Sequence, residues 1–438
     1  MPPISHLPTE LLCSIASLLD TRNFTSFRLS SRLVHGGTIP LFAARYFKRR
    51  HVFLERHSLE SLVDIARHPV LGPAVHTLDV SIARVIESPD AWGPNLQYSY
   101  EEEEEEEPRA EGPGSPPASP TQSEEDSRAM RDAATPPPDK VERVLADRDA
   151  YIRYRDDQRY VAECGLDTAY LTLALATMPN CKTLVLSAHD RPWGARTLAR
   201  RTGLWPTTDI HTTARGNFAR HTQQVVLSAA FASGIKLEKL DILFMPPDPG
   251  SRPSVFVPEL AAQHIRSRLI NLNTLCLTLS RAHNSYSYNA PGSFTQFLEL
   301  FPRVECLELC MNSCNDSNLF TTIADSPLHM TALRDLELHG LNCTAPALAK
   351  FLCRHQGTLK DVRLKRVHVL QRRGWGLIFH TIRRNLSAVE DLLVEKCRNA
   401  GELVRFRNPG GMEDSIRIRC DWDSLTSTID RMELGRAD

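Results

Sequence analysis

Leu333-Arg334-Asp335-Leu336-Glu337-Leu338 is one of eight versions of a single six-residue phrase: apolar, two variable residues, apolar, one variable residue, apolar. The phrase also stands at 75–80, 181–186, 237–242, 272–277, 304–309, 359–364 and 389–394, with Cys181 filling the first slot of its copy. In the last five copies the central residues Leu275, Leu307, Leu336, Val362 and Leu392 follow one another at steps of 32, 29, 26 and 30. Between phrases, apolar residues fall at helical spacing. Examples are Phe294, Phe297, Leu298 and Phe301, then Ala347, Leu348, Phe351 and Leu352, then Leu377, Ile378, Ile382 and Leu386.

A short strand and a helix recurring every 20 to 30 residues or so is the pattern of leucine-rich repeats. No unit of that kind buries its apolar face alone. Stacking buries a continuous core and leaves a curved, parallel strand face free. Two plainer readings compete. One is chance in a leucine-rich chain. The other is an ordinary α/β domain, which would bring all-apolar strands and glycine-rich turns at ligand crevices; here the strands are half polar. Earlier steps are longer, 56 residues from Leu184 to Leu240, so inserts interrupt the array there. Variable residues beside the inward apolar ones point to the free face. Asp241, Glu308, Glu337, His339, Arg363, Lys365 and Glu395 are the candidate binding residues on it. They are acidic in the middle copies and basic at Arg363 and Lys365, which suits a target of mixed charge. For any single one, the plain reading is a solvated strand residue.

Residues 7–47 read as three short helices. Leu7-Pro8 opens the first, with proline where a missing N–H costs nothing. Leu11, Leu12, Ile15, Leu18 and Leu19 fall on one face of it. A second helix carries Phe24, Phe27 and Leu33 inward and Arg28 and Arg32 outward, and Gly36-Gly37 ends it. Pro40 starts the third, with Leu41, Phe42 and Phe47. About forty residues make a marginal core, so such a unit needs a partner or a neighbouring domain. Residues 51–82 read as a strand, a helix bearing Leu59, Leu62, Val63 and Ala66 capped by Ser58, and a second strand. At 87–140 the composition changes to seven consecutive glutamates (101–107) and then Pro-, Ser- and Gly-rich sequence, which predicts disorder. The expected order is thus a helical module at 1–50, a first strand–helix–strand unit at 51–86, the acidic insert at 87–140, the repeat array at 141–397 and a C-terminal cap at 398–438. Asn408-Pro409-Gly410-Gly411 marks a turn within the cap.

The chain has 438 residues, of which 42% are hydrophobic, and a formal net charge of −1. That balance gives no pull toward nucleic acid or a membrane surface. No secretory signal is read at the N-terminus, and no apolar run approaches the ~20 residues that span a bilayer. Eleven scattered cysteines fit a reduced compartment, cytoplasmic and/or nuclear. Phosphate loops, dinucleotide fingerprints, nucleophile elbows and Cys-x-x-Cys pairs are all missing. Cys306, Cys310 and Cys314 are spaced by four and lack paired zinc ligands. No cofactor or metal is therefore expected and no catalytic residue is assigned. With 16 histidines and 11 cysteines, sequence leaves open that a Cys–His pair meets in the fold.

Residues 7–47 resemble the F-box, through Leu7-Pro8-x-Glu10-Leu11-Leu12, Ile15, Leu18-Leu19 and Phe27-Arg28-Leu29-Ser30-Ser31-Arg32. Ser30 stands where the family usually has valine. The stretches at 53–59, 67–69, 174–175 and 178–180 are similar to those of filamentous-fungal F-box proteins. The resemblance implies an α/β chain in which a three-helix F-box precedes a leucine-rich-repeat solenoid, and a substrate receptor of an SCF-type ubiquitin ligase, not itself an enzyme. The F-box would dock on a Skp-type adaptor, and through it a cullin, while the repeats hold a target protein. Carried over by position, Leu7, Pro8, Leu11, Leu12, Ile15 and Leu19 would supply much of the adaptor contact; burial in the module's own core is the alternative for each. Adaptor binding outside the cullin complex, a plain repeat scaffold with a helical N-terminal cap, and an enzyme framed on the repeats are the competing readings.

Overall fold

Ten strands hydrogen-bond side by side in the order in which the chain makes them. The computed structural model describes residues 7–85, 138–188, 192, 194–202, 205–206, 213–244, 269, 271–279, 291–311, 317–408 and 411–419. The strands are β1 (Arg49–Phe53), β2 (Thr77–Ser81), β3 (Thr183–Ser187), β4 (Lys239–Phe244), β5 (Thr274–Leu279), β6 (Cys306–Cys310), β7 (Asp335–His339), β8 (Asn342–Cys343), β9 (Asp361–Lys365), β10 (His368–Val369), β11 (Asp391–Glu395), β12 (Arg398–Asn399), β13 (Glu402–Leu403), β14 (Phe406–Asn408), β15 (Gly411–Glu413) and β16 (Ser415–Arg419). The large sheet runs β1-β2-β3-β4-β5-β6-β7-β9-β11-β16. Every neighbouring pair is parallel except the last, where β16 lies antiparallel on β11. The sheet is open, with β1 and β16 at its edges.

The repeated phrase dictates the register. The central residues Leu78, Leu184, Leu240, Leu275, Leu307, Leu336, Val362 and Leu392 pair in one unbroken row. All are buried, as are the apolar residues in the first and last slots, in one continuous core cluster. Each leucine taken fully out of water contributes roughly 1.5–3 kcal/mol, so stacked rows are what hold the sheet. β6, β7, β9 and β11 alternate between buried and half-exposed residues, so one face is dry and the other open.

The helices among the described residues are α1 (Thr9–Ser17), α2 (Thr21–Leu29), α3 (Arg32–Tyr46), α4 (Arg56–Arg67), α5 (Leu71–Ala74), α6 (Pro138–Glu163), α7 (Leu166–Thr177), α8 (Ala195–Thr202), α9 (Thr213–Ser233), α10 (Pro291–Leu298), α11 (Ser317–Asp325), α12 (Ala345–Arg354) and α13 (Gly374–Asn385), and from α4 onward they connect successive strands of the large sheet. α4 packs on α7 and α7 on α9; α10, α11, α12 and α13 likewise pack each on the next. The apolar spacing in α12 and α13 reads out as predicted, save Leu377, which is exposed. The last repeats also share a backbone turn. β7, β9 and β11 are each followed by a left-handed residue, Gly340, Arg366 and Lys396. The two-residue strands β8, β10 and β12 come next and pair parallel in a second sheet. A left-handed arginine or lysine costs about 1 kcal/mol or more, and the repeating packing imposes it here.

Several local expectations need correction. Ser58 does not cap α4; the Glu55 carboxylate does, accepting from the Ser58 N–H at 2.9 Å, while buried Ser58 accepts from the Phe53 N–H. Gly36-Gly37 and Pro40 neither end nor start a helix but lie inside α3. The break falls earlier, where Ser31 accepts from the Leu33 N–H, and Gly37 faces Leu12 and Thr9 of α1. Leu33 points outward, whereas Arg28 is buried with its guanidinium 3.5 Å over the Phe42 ring. The acidic insert expected at 87–140 lies outside the described residues up to its last three, where α6 begins at Pro138. Across the turn expected at 408–411, β14 and β15 pair antiparallel with Asn408 opposite Gly411, while residues 409–410 and 420–438 also lie outside the described residues.

Candidate functional site

The open face of the large sheet carries three rows of side chains set by the strand register. The middle row reads His51, Asp79, Val185, Asp241, Cys276, Glu308, Glu337, Arg363, Leu393 and Arg417. Cα partners on adjacent strands lie about 5 Å apart, so like charges in a row feel one another. Glu337 gathers the basic residues: its carboxylate is 2.6 Å from Lys365 Nζ and 3.7 Å from Arg363 Nη1. Asp241 stands less compensated. Burial pushes its carboxyl up; Lys239 opposes this and Glu308 adds to it. In the flanking row Asp335, Asp361 and Asp391 follow on successive strands. Burial, then the facing Asp335 carboxyl at hydrogen-bond range, raises Asp361. Arg417 from β16 binds Asp391 at 2.6 Å. Together Cys306, Glu308, Asp335, Leu336, Glu337, Asp361 and Arg363 line a small hollow in this face.

At the N-terminal end the face is closed. Asp79 is buried and holds Arg49 Nη2 at 2.6 Å, His51 Nδ1 at 3.1 Å and Ser187 Oγ at 2.6 Å. Burial pushes this carboxyl up, and the hydrogen bonds from His51, Ser187 and Arg49 outweigh it and hold it below its usual range. Phe53, Ala83, Val85, Tyr151 and Leu198 form a second small core beside it.

All seven residues named from sequence for this face lie half-buried on strands of the sheet. Glu337, Arg363 and Lys365 form one ion-pair group; Asp241 and Glu308 are separated by Cys276 of β5, and Glu395 sits two strands from His339 in the third row. His339 meets Cys310, its Nδ1 3.2 Å from the Sγ. Asp79 and Cys310 share slots with these seven, and Asp335, Asp361 and Asp391 fill the other variable slot that faces this side; none of the five was among the candidates. Cys306 and Cys310, four residues apart on one strand, are separated by about 13 Å and cannot share one metal; Cys314 lies outside the described residues. Among the described residues no three His, Cys, Asp or Glu side chains are grouped to hold a metal ion.

The second surface is the helical unit of α1, α2 and α3. Ala16, Phe24, Val34 and Ala43 form its own core, separate from the sheet's. Of the residues expected to face an adaptor, Leu12 is buried in that core, Leu7, Ile15 and Leu19 are half-buried, and Pro8 and Leu11 are exposed. Leu11 (51%), Leu18 (86%), Leu29 (78%) and Leu33 (66%) are held out in solvent. Leu18, the C-cap of α1, stands two helical turns on from Leu11, so both leave the same side of α1. Arg50 joins the unit to the sheet: it occupies the central slot of β1, opposite Leu78, with its guanidinium 4.7 Å from the Phe47 ring. Burial lowers it to about 10. No helix among the described residues is long and apolar enough to cross a membrane. No protein-family model matches the chain, and no curated protein matches it in sequence.

Proposed function

We propose that the chain is the substrate-recognition subunit of an SCF-type ubiquitin ligase. In this reading α1–α3 are an F-box that docks on a Skp-type adaptor and through it a cullin. The strand–helix units are a leucine-rich-repeat solenoid, and its open strand face holds the target protein. The chain itself is non-catalytic. The observation that carries the reading is the set of four leucines left in solvent on one small helical unit. A unit with so small a core leaves large apolar side chains out where a partner covers them, and burying four of them is worth several kcal/mol, by about 1.5–3 kcal/mol each. The phrase, its in-register rows and the repeated left-handed turn support the repeat half of the reading.

Co-purification with a Skp-type adaptor tests it, using the intact chain and a Leu11→Glu/Leu18→Glu variant. The intact chain is expected to bind, and the variant to lose binding while its melting temperature stays put, since both side chains are outside the core. No binding by the intact chain would sink the ligase reading. A complex with adaptor that never contains cullin would instead favour a non-catalytic leucine-rich-repeat scaffold working outside the cullin complex.

A further inference from the structure

Cys310 ends β6 and His339 ends β7, and the parallel register sets them side by side on the open face. The Sγ–Nδ1 distance of 3.2 Å is within the reach that lets an imidazole take a thiol proton. The backbone fixes this geometry, because the Met311 N–H donates to the His339 carbonyl at 2.7 Å. Both side chains are half-buried, so small solutes reach them. Among the described strand residues, the charged groups beside the pair are Glu308 on β6, Glu337 on β7 and Arg363 and Lys365 on β9; Thr278 on β5 is neutral. Lys365 is bound to Glu337 at 2.6 Å, and the His339 imidazole meets the thiol directly. Burial pushes Cys181, Cys276, Cys343 and Cys397 up to about 12, which leaves them protonated and inert.

We propose that Cys310 and His339 form a reactive thiol–imidazole pair, a modification site for hydroperoxides on the open strand face. His339 Nδ1 accepts the thiol proton as Sγ attacks a peroxide oxygen. The S–O bond forms and the O–O bond breaks. The departing oxygen takes the proton from His339 and leaves as water or an alcohol. Sulfur loses two electrons to the peroxide, and the product is a sulfenic acid. The modification puts a polar oxygen in the row shared with Lys365 and Glu395.

The test treats the full-length protein with limiting hydrogen peroxide, tags sulfenic acid with dimedone and follows each cysteine by peptide mass spectrometry. Cys310 is expected to react at least about tenfold faster than Cys164, which is more exposed. His339→Gln is expected to remove that advantage and leave the Cys164 rate unchanged. In urea the two rates should converge. Equal rates in the folded wild type, an unchanged Cys310 rate in His339→Gln, or an advantage that persists in urea would each overturn the proposal. Were the variant to misfold, the wild-type comparison alone decides.

Discussion

His355 makes stability depend on acid in a way that can be worked out in advance. The ring is 2% exposed, packed 4.8 Å from the Phe351 ring and 5.6 Å from His329. Its Nδ1–H faces the Phe351 carbonyl at 3.0 Å, while Nε2 accepts from the Met330 N–H at 3.3 Å. Both nitrogens are used by the neutral form, and a second proton would displace the Met330 bond. Burial is the largest cause that lowers the imidazole from 6.5 to about 4, with His329 and Arg354 adding to it. Since the folded value is depressed, the unfolded chain takes up the proton first as pH falls. Stability is therefore complete above about 6.5 and lost between there and 4. The 2.5-unit gap at about 1.4 kcal/mol per unit sets a ceiling of about 3 kcal/mol, of which about 2 kcal/mol is gone by pH 5. Urea unfolding at pH 7.5 and pH 5 should show it, with His355→Gln as the reference that cannot take the proton. Other groups titrate in this window, among them carboxyls with raised values, but they cancel in the difference between the two proteins. The gap between wild type and variant should shrink by about 2 kcal/mol on going to pH 5. Parallel pH dependences would refute the assignment.

Gly72→Ala should lower the melting temperature, because a Cβ there would lie 2.2 Å from the Ala66 carbonyl oxygen at the α4–α5 junction; a cost of about 1–3 kcal/mol is expected, and an unchanged melt would contradict it. Asp79→Asn strips the charge from a buried carboxylate that serves Arg49, His51 and Ser187, and should cost about 1–3 kcal/mol at pH 7 by urea unfolding. Because that carboxyl is held low, the difference should fade as pH drops through its depressed value; a penalty constant from pH 7 to pH 2 would tell against the network. Trp375→Phe removes the indole N–H that donates to the Arg398 carbonyl at 2.9 Å and leaves a void in the core, so the urea midpoint should fall by the equivalent of about 1–3 kcal/mol.

The sheet was legible because its signal is periodic and physical. A slip of one residue would turn every apolar row outward, so eight phrases with apolar residues in the same slots leave one register open to them. β1 escaped the pattern for a reason equally physical: Arg50 fills the slot where its neighbours carry leucine, and the Phe47 ring from the helical unit lies against its guanidinium there. The helical unit was read with the right number of helices and wrong boundaries. Gly36, Gly37 and Pro40 are breakers by local preference, yet packing of α3 on α1 and α2 overrides them. The left-handed turns after β9 and β11 gave no sign at all, since arginine and lysine fill positions that favour glycine.

The open face shows where a reading of single residues falls short of a reading across strands. Glu308, Glu337, Arg363 and Asp241 were named because they stand beside the inward apolar residues, where side chains point to the free face. Asp79 shares their slot and turns out to be buried, holding the sheet's first strands together. Cys310 occupies the slot of His339, Lys365 and Glu395, one repeat earlier, but spacing along its own strand admits it only as a metal ligand that the geometry refuses. Its partner is 29 residues away in sequence and one strand away in space. In a parallel sheet stacked in chain order, chemistry is assembled across repeats, between residues that hold equal positions in successive phrases. Aligning the phrases and reading down each slot would have set Cys310 beside His339 before any coordinate was known.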